Sequence, residues 1–187
     1  YYSPTTGWAD PGSGTIPNGY RPGTGVYVHD RADGDIFENL YTFNYKTGFH
    51  FDTVAATCDR ISTDMDISVL NATRAANINT TAVLITGPTN IFFNDCSIGG
   101  CYDAYYVNLN HDNGLGGQHY SYDYQGPNSP PGVVTISGGS TGTACYFGPG
   151  SRTAIHDTTL NMSFNIGRYG TGMVFDDAIG FASIDNI

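Results

Sequence analysis

The chain has 187 residues, with 7 Lys and Arg against 17 Asp and Glu, a formal net charge of −10, and charged residues making up only 13% of the total. This length is typical of one domain with one hydrophobic core. The negative charge and the lack of a basic run exclude a nucleic-acid-binding surface, and no apolar stretch reaches the roughly 20 residues that a membrane-spanning helix needs.

The first 25 residues are rich in Pro and Gly and contain the one Trp of the chain. This composition is too irregular for a sheet and too aromatic for a free linker. We expect residues 1–25 to form an extended N-terminal arm that wraps along a surface, with four aromatic anchors: Tyr1, Tyr2, Trp8 and Tyr20. Two roles are open for it, a cap over the following domain or docking to another subunit.

The remainder, residues 26–187, is rich in Gly, Tyr, Thr and Asn, which favours strands and turns over helices. A first kind of segment places an apolar residue two positions before Asn, Asp or Gly. It recurs at 37–40, 69–72, 93–96, 136–139, 155–158 and 184–187. Each copy predicts a short strand that ends at a residue tolerant of left-handed backbone geometry.

A second kind of segment alternates with the first, opens on Gly or Ala and continues as a strand. Its copies lie at 48–51, 82–85, 104–107, 144–147 and 172–175. We expect its inward positions to stack as two apolar ladders. The first ladder comprises Phe49, Val83, Tyr105, Cys145 and Met173, and the second comprises Phe51, Ile85, Val107, Phe147 and Phe175.

The turn residues of the first segment are separated by 32, 24, 43, 19 and 29 positions, which predicts a rung of about 20 to 24 residues with insertions. Strands repeating at this period with short turns indicate an all-β parallel coil, whose rungs stack at about 4.8 Å. The predicted insertions are residues 53–66 and 110–131. A β-sandwich or jelly roll is the alternative, since its strands are also short and closely spaced.

The repeated segments resemble the right-handed single-stranded parallel β-helix superfamily, the pectin-lyase-like fold, and are closest in character to phage tailspike and tail-fibre proteins. The stretches that carry the resemblance begin at Asp35, Thr89 and Arg152: DIFENLYTFNYKTGFHFD, TNIFFNDCSIGGCYDAYYVNL and RTAIHDTTLNMSFNIGRYGTGMVFDD. The resemblance implies about six rungs after the irregular arm. It says little about activity, because one such scaffold hosts many functions.

The outward position of the second segment forms an apolar stripe, where a monomeric coil would carry polar residues: His50, Leu84, Tyr106, Tyr146 and Val174. Exposed apolar patches of this length mark interfaces. We therefore expect a homo-oligomer with coils side by side, and the resemblance to phage spikes implies a trimer. The alternative is an inserted loop, or the arm, folded over this face.

The insertion at 110–131 is dense in Tyr, His, Asn, Asp and Gly. Tyrosine offers rigid amphipathic area, and forked polar groups bind sugar hydroxyls, so this segment predicts a glycan-binding surface. The expected ligand contacts are His111, Asp112, Gln118, His119, Tyr120, Tyr122, Asp123 and Tyr124. The other interpretation is a loop that only packs against its neighbour.

Catalysis would need paired carboxylates, or Arg with a calcium-binding carboxylate cluster. The weak candidates are Asp176, Asp177 and Asp123, together with the pairs Asp64 with Asp66 and Asp52 with Asp59. None lies in a recognisable motif, and acidic residues at strand ends commonly serve turn geometry. The five His residues lack metal-ligand spacing, so neither a metal nor a cofactor is expected.

The four cysteines form no metal-binding or redox motif. Cys96 and Cys145 fall in inward columns, which predicts buried thiols that pack as small hydrophobic groups. Cys58 and Cys101 are expected in loops, and the sequence does not decide whether they form a disulfide with each other.

Together these features favour a virion appendage that lies at the virion surface or outside the cell, oligomerises and binds surface polysaccharide. A polysaccharide lyase or glycoside hydrolase of the same superfamily is the first alternative. A secreted bacterial adhesin domain is the second.

Overall fold

The computed structural model describes residues 19–29, 33–87, 89–99, 101, 103–108, 134–141, 145–147, 153–157, 159–160, 173–175 and 182–186. The described residues form one helix, α1 (Ile67–Ala75), and seventeen strands. The strands in chain order are β1 (Arg21–Val28), β2 (Asp33–Glu38), β3 (Tyr41–Phe43), β4 (Tyr45–Asp52), β5 (Ala55–Asp59), β6 (Ser62–Asp64), β7 (Thr81–Thr86), β8 (Asn90–Asn94), β9 (Ser97–Ile98), β10 (Asp103–Asn108), β11 (Val134–Ser137), β12 (Ser140–Thr141), β13 (Cys145–Phe147), β14 (Thr153–His156), β15 (Thr159–Leu160), β16 (Met173–Phe175) and β17 (Ala182–Asp185).

The strands form three sheets, and successive strands of the chain enter successive sheets. Sheet 1 is ordered β1-β4-β7-β10-β13-β16, sheet 2 is β2-β5-β8-β11-β14-β17, and sheet 3 is β3-β6-β9-β12-β15. All strand pairs in the described part of the chain are parallel. The all-β prediction with parallel strands is therefore confirmed, and the stacked sheets are compatible with a parallel β-helix.

The structure differs from the sequence prediction between residues 53 and 80. Residues 53–66, expected as an insertion, contain β5 and β6, and residues 69–72, expected as a strand and turn, lie in α1. The helix forms here because Asp66 caps its N-terminus: Oδ1 of Asp66 accepts the Ser68 amide over 2.8 Å. Val69 and Leu70 are buried against the core. With nine residues α1 is too short to cross a bilayer, and the described residues contain no other helix.

The register of sheet 1 confirms that the positions of both predicted ladders align from strand to strand. Phe49 pairs with Val83, which pairs with Tyr105, while Cys145 pairs with Met173. The second ladder follows one alternate position later: Phe51, Ile85, Val107, Phe147 and Phe175 pair in that order. Phe49, Phe51, Val83 and Ile85 are fully buried. The alternating pattern therefore directs these side chains into the space that the three sheets enclose.

Aromatic rings from sheets 1 and 2 interlock at the centre of the core. The Phe93 ring of β8 meets Phe51 of β4 at a centroid distance of 6.0 Å and Tyr105 of β10 at 5.1 Å, both edge to face. Phe37 of β2 meets Phe51 at 5.7 Å in the same manner. Edge-to-face pairs of this kind stabilise a core beyond the effect of their buried area.

The corner after each sheet 2 strand adopts left-handed backbone geometry, as the sequence predicts. Residues with φ between 49° and 67° follow all six strands of this sheet: Asn39, Arg60, Asp95, Gly138, Asp157 and Asn186. Backbone hydrogen bonds join successive corners, for example from the Arg60 amide to the Asn94 carbonyl over 2.9 Å. One member differs from the prediction, because Arg60 takes the place expected for Asn71.

The small residues near the start of three sheet 1 strands lie close to the corner between sheets 3 and 1. Gly48, Ala82 and Ala104 are buried there. A Cβ atom on Gly48 would lie 2.6 Å from the Ala82 carbonyl oxygen and 2.7 Å from Thr42 Oγ1. A side chain at position 48 therefore cannot be accommodated unless the backbone at Ala82 moves.

Two threonines in one inward row of sheet 3 give a matched stability test. Among the described residues, Thr42 Oγ1 is buried with no hydrogen-bond partner, whereas Thr63 Oγ1 accepts the Gly99 amide over 3.1 Å. Replacing a buried unsatisfied hydroxyl by a methyl group removes a penalty, while removing a satisfied one leaves its partner unpaired. We expect Thr42→Val to raise the free energy of unfolding by about 1 kcal/mol and Thr63→Val to lower it by about 1–2 kcal/mol in urea titrations. A lower stability for Thr42→Val would contradict this packing.

Candidate functional site

The predicted stripe lies on the outward face of sheet 1, where the strand register aligns its members. Tyr27 of β1 pairs with His50, and the row continues through Leu84, Tyr106, Tyr146 and Val174. Successive strands in such a sheet lie about 4.8 Å apart, so the row runs across all six strands. The five residues named from the sequence are thus brought into one line, and Tyr27 extends that line to β1.

Exposure varies along this outward row. Tyr27 is 50% exposed, His50 and Leu84 are half-buried, and Tyr146 is buried within the single chain. The side chains of Tyr106 and Val174 lie outside the description, although their backbone pairing is defined. The accessible part of the described row is therefore its first half, on β1, β4 and β7.

Three aromatic rings stack at the exposed beginning of the row, and we call them the ring stack: His29, Tyr27 and His50. The Tyr27 ring lies 4.5 Å from His29 at an interplanar angle of 21°, and 4.6 Å from His50 at 17°. Tyr27 and His29 point to the same face because they are two positions apart along the chain. The neighbouring strand β4 supplies His50 in register with Tyr27.

Polar partners on the same face hold the ring stack in place. His50 Nε2 and Thr86 Oγ1 share a hydrogen bond of 2.7 Å, and Tyr27 Oη donates to Asp52 Oδ2 over 3.4 Å. Asp52 is only 6% exposed, and its Oδ1 atom accepts the Thr53 hydroxyl over 3.2 Å. The buried Asp52 carboxylate thus accepts a hydrogen bond that fixes the position of the Tyr27 hydroxyl.

Tyr27, His29 and Thr86 are not among the residues predicted from the sequence. A signal for the first of these was present, because residues 25–28 (GVYV) repeat the second kind of segment, with a small residue first and Tyr27 in the outward position. Thr86 lies two residues beyond Leu84, so it shares the outward face at the strand end. Its hydrogen bond with His50 depends on the side-chain conformations of both residues, which the sequence pattern does not predict.

The predicted glycan contacts all lie within the 110–131 segment, outside the described residues: His111, Asp112, Gln118, His119, Tyr120, Tyr122, Asp123 and Tyr124. The same holds for the catalytic candidates Asp176 and Asp177.

The described carboxylate pairs serve local structure. Asp52 ends β4 in sheet 1 whereas Asp59 ends β5 in sheet 2, so they lie on different faces. Asp64 Oδ1 accepts the Met65 amide over 2.7 Å. Asp66 caps α1, and hydrogen bonds from the Ser68 hydroxyl and amide hold the pKa of Asp66 below its usual value. Turn and cap geometry accounts for these residues.

All four cysteines are free thiols buried in the core. Cys58 lies in β5 rather than in a loop, and its inward side chain is fully buried, as is expected for an alternating strand. Burial raises the pKa of Cys96 to about 11 and that of Cys58 still further. Both thiols therefore stay protonated at neutral pH and behave as small hydrophobic groups.

Within the described part of the chain, no cluster of three or more His, Cys, Asp or Glu side chains is arranged to hold a metal ion. Comparison of the chain with protein-family models, with curated proteins and with solved structures found no match.

Proposed function

We propose that the chain is the β-helical part of an oligomeric surface appendage, of the tailspike or fibre type, that recognises cell-surface glycan outside the cell. The coil would be a right-handed parallel β-helix of about six rungs. Two observations support this topology: the chain returns to the same sheet after every three strands, and every described pair is parallel. Crossovers between parallel strands of one sheet are almost always right-handed.

The aligned outward row of sheet 1 carries the oligomer proposal. Leu84 lies in line with Tyr27, His50 and Tyr106, on the face opposite the core ladders. At the start of this row, on β1, β4 and β7, Tyr27 is 50% exposed and His50 and Leu84 are half-buried, and closed symmetry offers a way to cover them. A trimer would place three such faces around one axis.

The low charge of the chain supports glycan as the recognised partner. Charged residues make up only 13% of the sequence, and the net charge of −10 disfavours phosphate-rich partners. Tyrosine and amide side chains, dense in residues 110–131, suit sugar faces and hydroxyls. That segment is the proposed main contact, and the arm at 1–25 is the proposed attachment to another appendage subunit.

Leu84→Glu tests the oligomer. We expect the variant to sediment as a monomer while the wild type sediments as an oligomer, because a buried interfacial carboxylate without a partner is strongly unfavourable. Thr57→Glu is the matched control, since Thr57 is half-buried on the outward side of β5 in sheet 2. Circular dichroism verifies that both variants are folded. Retention of the wild-type mass by Leu84→Glu would contradict the interface.

A further inference from the structure

We infer that residues 9–18 cover the N-terminal end of the chain's own stacked sheets, with Ile16 seated on Leu40. That end is formed by β1, β2 and β3, which are the outermost strands of sheets 1, 2 and 3. Residues 9–18 themselves lie outside the described part of the chain. The inference goes beyond the proposed function and leaves residues 1–8 for the attachment proposed above.

The inward side chains of the first rung, β1 to β3, are less buried than those of the second. Four of them pack against the core but are only partly buried: Val26, Val28, Phe37 and Leu40. The residues aligned with them in the second rung are fully buried: Phe49, Phe51, Cys58 and Ile61. The end of the sheets therefore presents apolar surface, and a segment that covers it gains free energy.

The chain reaches this end directly from its N-terminal segment. Tyr20 is 3% exposed and belongs to the core, and the Arg21 amide donates to the Asn44 carbonyl over 2.8 Å. Arg21 pairs with Tyr45, which lies 24 positions later in the chain. Strand β3 ends one residue before Asn44. The same offset therefore brings the preceding residues to the outer edge of β3.

This offset of 24 aligns an apolar residue with the inward column of sheet 3. Ile16 falls on Leu40, and Leu40 is followed in the next rung by the fully buried Ile61. Residues 9–15, when extended, span about 23 Å, more than the roughly 10 Å between packed sheets, so they reach across the end. Asp10 is the one charged residue among the first 18, and a segment of such low charge suits an apolar surface.

Pro17 fits an outermost position beside β3. The Ser62 amide donates to the Leu40 carbonyl, so the amide of Tyr41, which pairs with Ser62, faces away from β6. The same pattern one rung earlier directs the nitrogen of Pro17 away from β3, where no donor is needed. Proline in sheets is confined to such edge positions, and the residue before it favours extended backbone. Residues 16–18 thus add a short strand that ends sheet 3.

Disulfide trapping in the whole 187-residue chain tests the seating of Ile16. We expect the double variant Ile16→Cys with Leu40→Cys to form a disulfide within one chain under oxidised glutathione, because aligned neighbours in a parallel sheet lie about 5 Å apart. Ile16→Cys with Ile36→Cys is the matched control and should stay reduced, since Ile36 is 67% exposed on the outward side of sheet 2. Non-reducing electrophoresis and mass spectrometry identify the product.

Hydrogen exchange gives a second readout with single substitutions. The Tyr41 amide, at the outer edge of β3, should exchange at least about 100-fold more slowly than in an unstructured peptide. Ile16→Asp should accelerate this exchange about tenfold or more. Thr15→Asp adds the same charge and should change the rate less than about twofold. Thr15 aligns with Asn39, which is exposed at its corner.

The outcomes separate this inference from the proposed function. A disulfide that joins two chains would assign the covering segment to another copy and overturn closure by the chain's own residues. Failure of the Ile16 and Leu40 pair to cross-link, or equal exchange of the Tyr41 amide in the wild type and Ile16→Asp, would overturn the seating. Neither readout depends on glycan binding or on particle mass, so either result leaves the proposed function to its own tests.

Discussion

Gly139→Ala should lower the free energy of unfolding far more than alanine at either of two other glycines of the chain. Gly139 has a φ of +68°, and a Cβ atom there would press on the Cys96 carbonyl oxygen and lie 2.6 Å from the Cys96 nitrogen and 2.8 Å from its carbonyl carbon. These atoms belong to the neighbouring corner, where the Ser140 amide donates to the Cys96 carbonyl over 2.9 Å. The left-handed conformation costs alanine about 1–2 kcal/mol. The backbone clash brings the expected loss to about 4 kcal/mol or more.

Two other glycines serve as controls for Gly139. Gly34 also has a positive φ, of 75°, but a Cβ atom there meets nothing within 4 Å, so Gly34→Ala should cost only about 1–2 kcal/mol. Gly23 has neither a positive φ nor an atom within 4 Å of the Cβ position. Gly23→Ala should therefore be neutral or raise the free energy of unfolding by about 0.5 kcal/mol. Urea unfolding of the three variants measures the series. Equal effects of Gly139→Ala and Gly34→Ala would show that the corners are not stacked as described.

Phe93→Ala should lower the free energy of unfolding by about 3–5 kcal/mol. Phe93 is fully buried, and its ring joins Phe51 of sheet 1 to Tyr105 of the following rung. Removing it leaves a cavity between two sheets whose strands are fixed by parallel hydrogen bonds, so the core cannot collapse freely.

The adjacent residue is the control for Phe93. Phe92 is 37% exposed because it points to the opposite side of β8. We therefore expect Phe92→Ala to cost less than about 1 kcal/mol. Chemical denaturation of both variants gives the difference, with an unchanged denaturant slope indicating that the unfolded state is the same. A reversed order of the two effects would mean that β8 presents its other face to the core.

The sheet 1 ladders could be predicted because the repeated segments alternate in the same way and can be aligned with one another. Each copy opens on a small residue and alternates, so the partners of Phe49 and Phe51 follow from simple alignment. The corner residues followed from the tolerance of Asn, Asp and Gly for left-handed geometry. Arg60 was missed for the same reason, since arginine has no such preference, yet its Nε atom donates to Asn39 Oδ1 across the corner over 3.3 Å.

Between residues 53 and 80 the local sequence pattern does not predict the observed secondary structure. Residues 69–72 (VLNA) read as another strand and turn, but the Asp66 cap and the burial of Val69 and Leu70 make a helix there. The true strand, β5, contains Ala55, Ala56 and Cys58, small residues that give a weak hydrophobic signal. Cys58 pairs with Phe93, whose ring packs against Phe51, so the large side chains of the neighbouring strands fill the core at this level.

The ring stack could be located only in part from the sequence. The repeat of residues 25–28 contains the position of Tyr27, whereas the hydrogen bonds to Asp52 and Thr86 come from side chains that meet across strands. Cross-strand contacts depend on register, which no single strand encodes.

Sedimentation equilibrium of the wild-type chain tests the central claim, that the outward row of sheet 1 is an interface between copies. The chain has a mass of 20.0 kDa. We predict a particle of about 60 kDa, three copies, at micromolar concentration and neutral pH. A particle of one chain's mass at every concentration would contradict the claim.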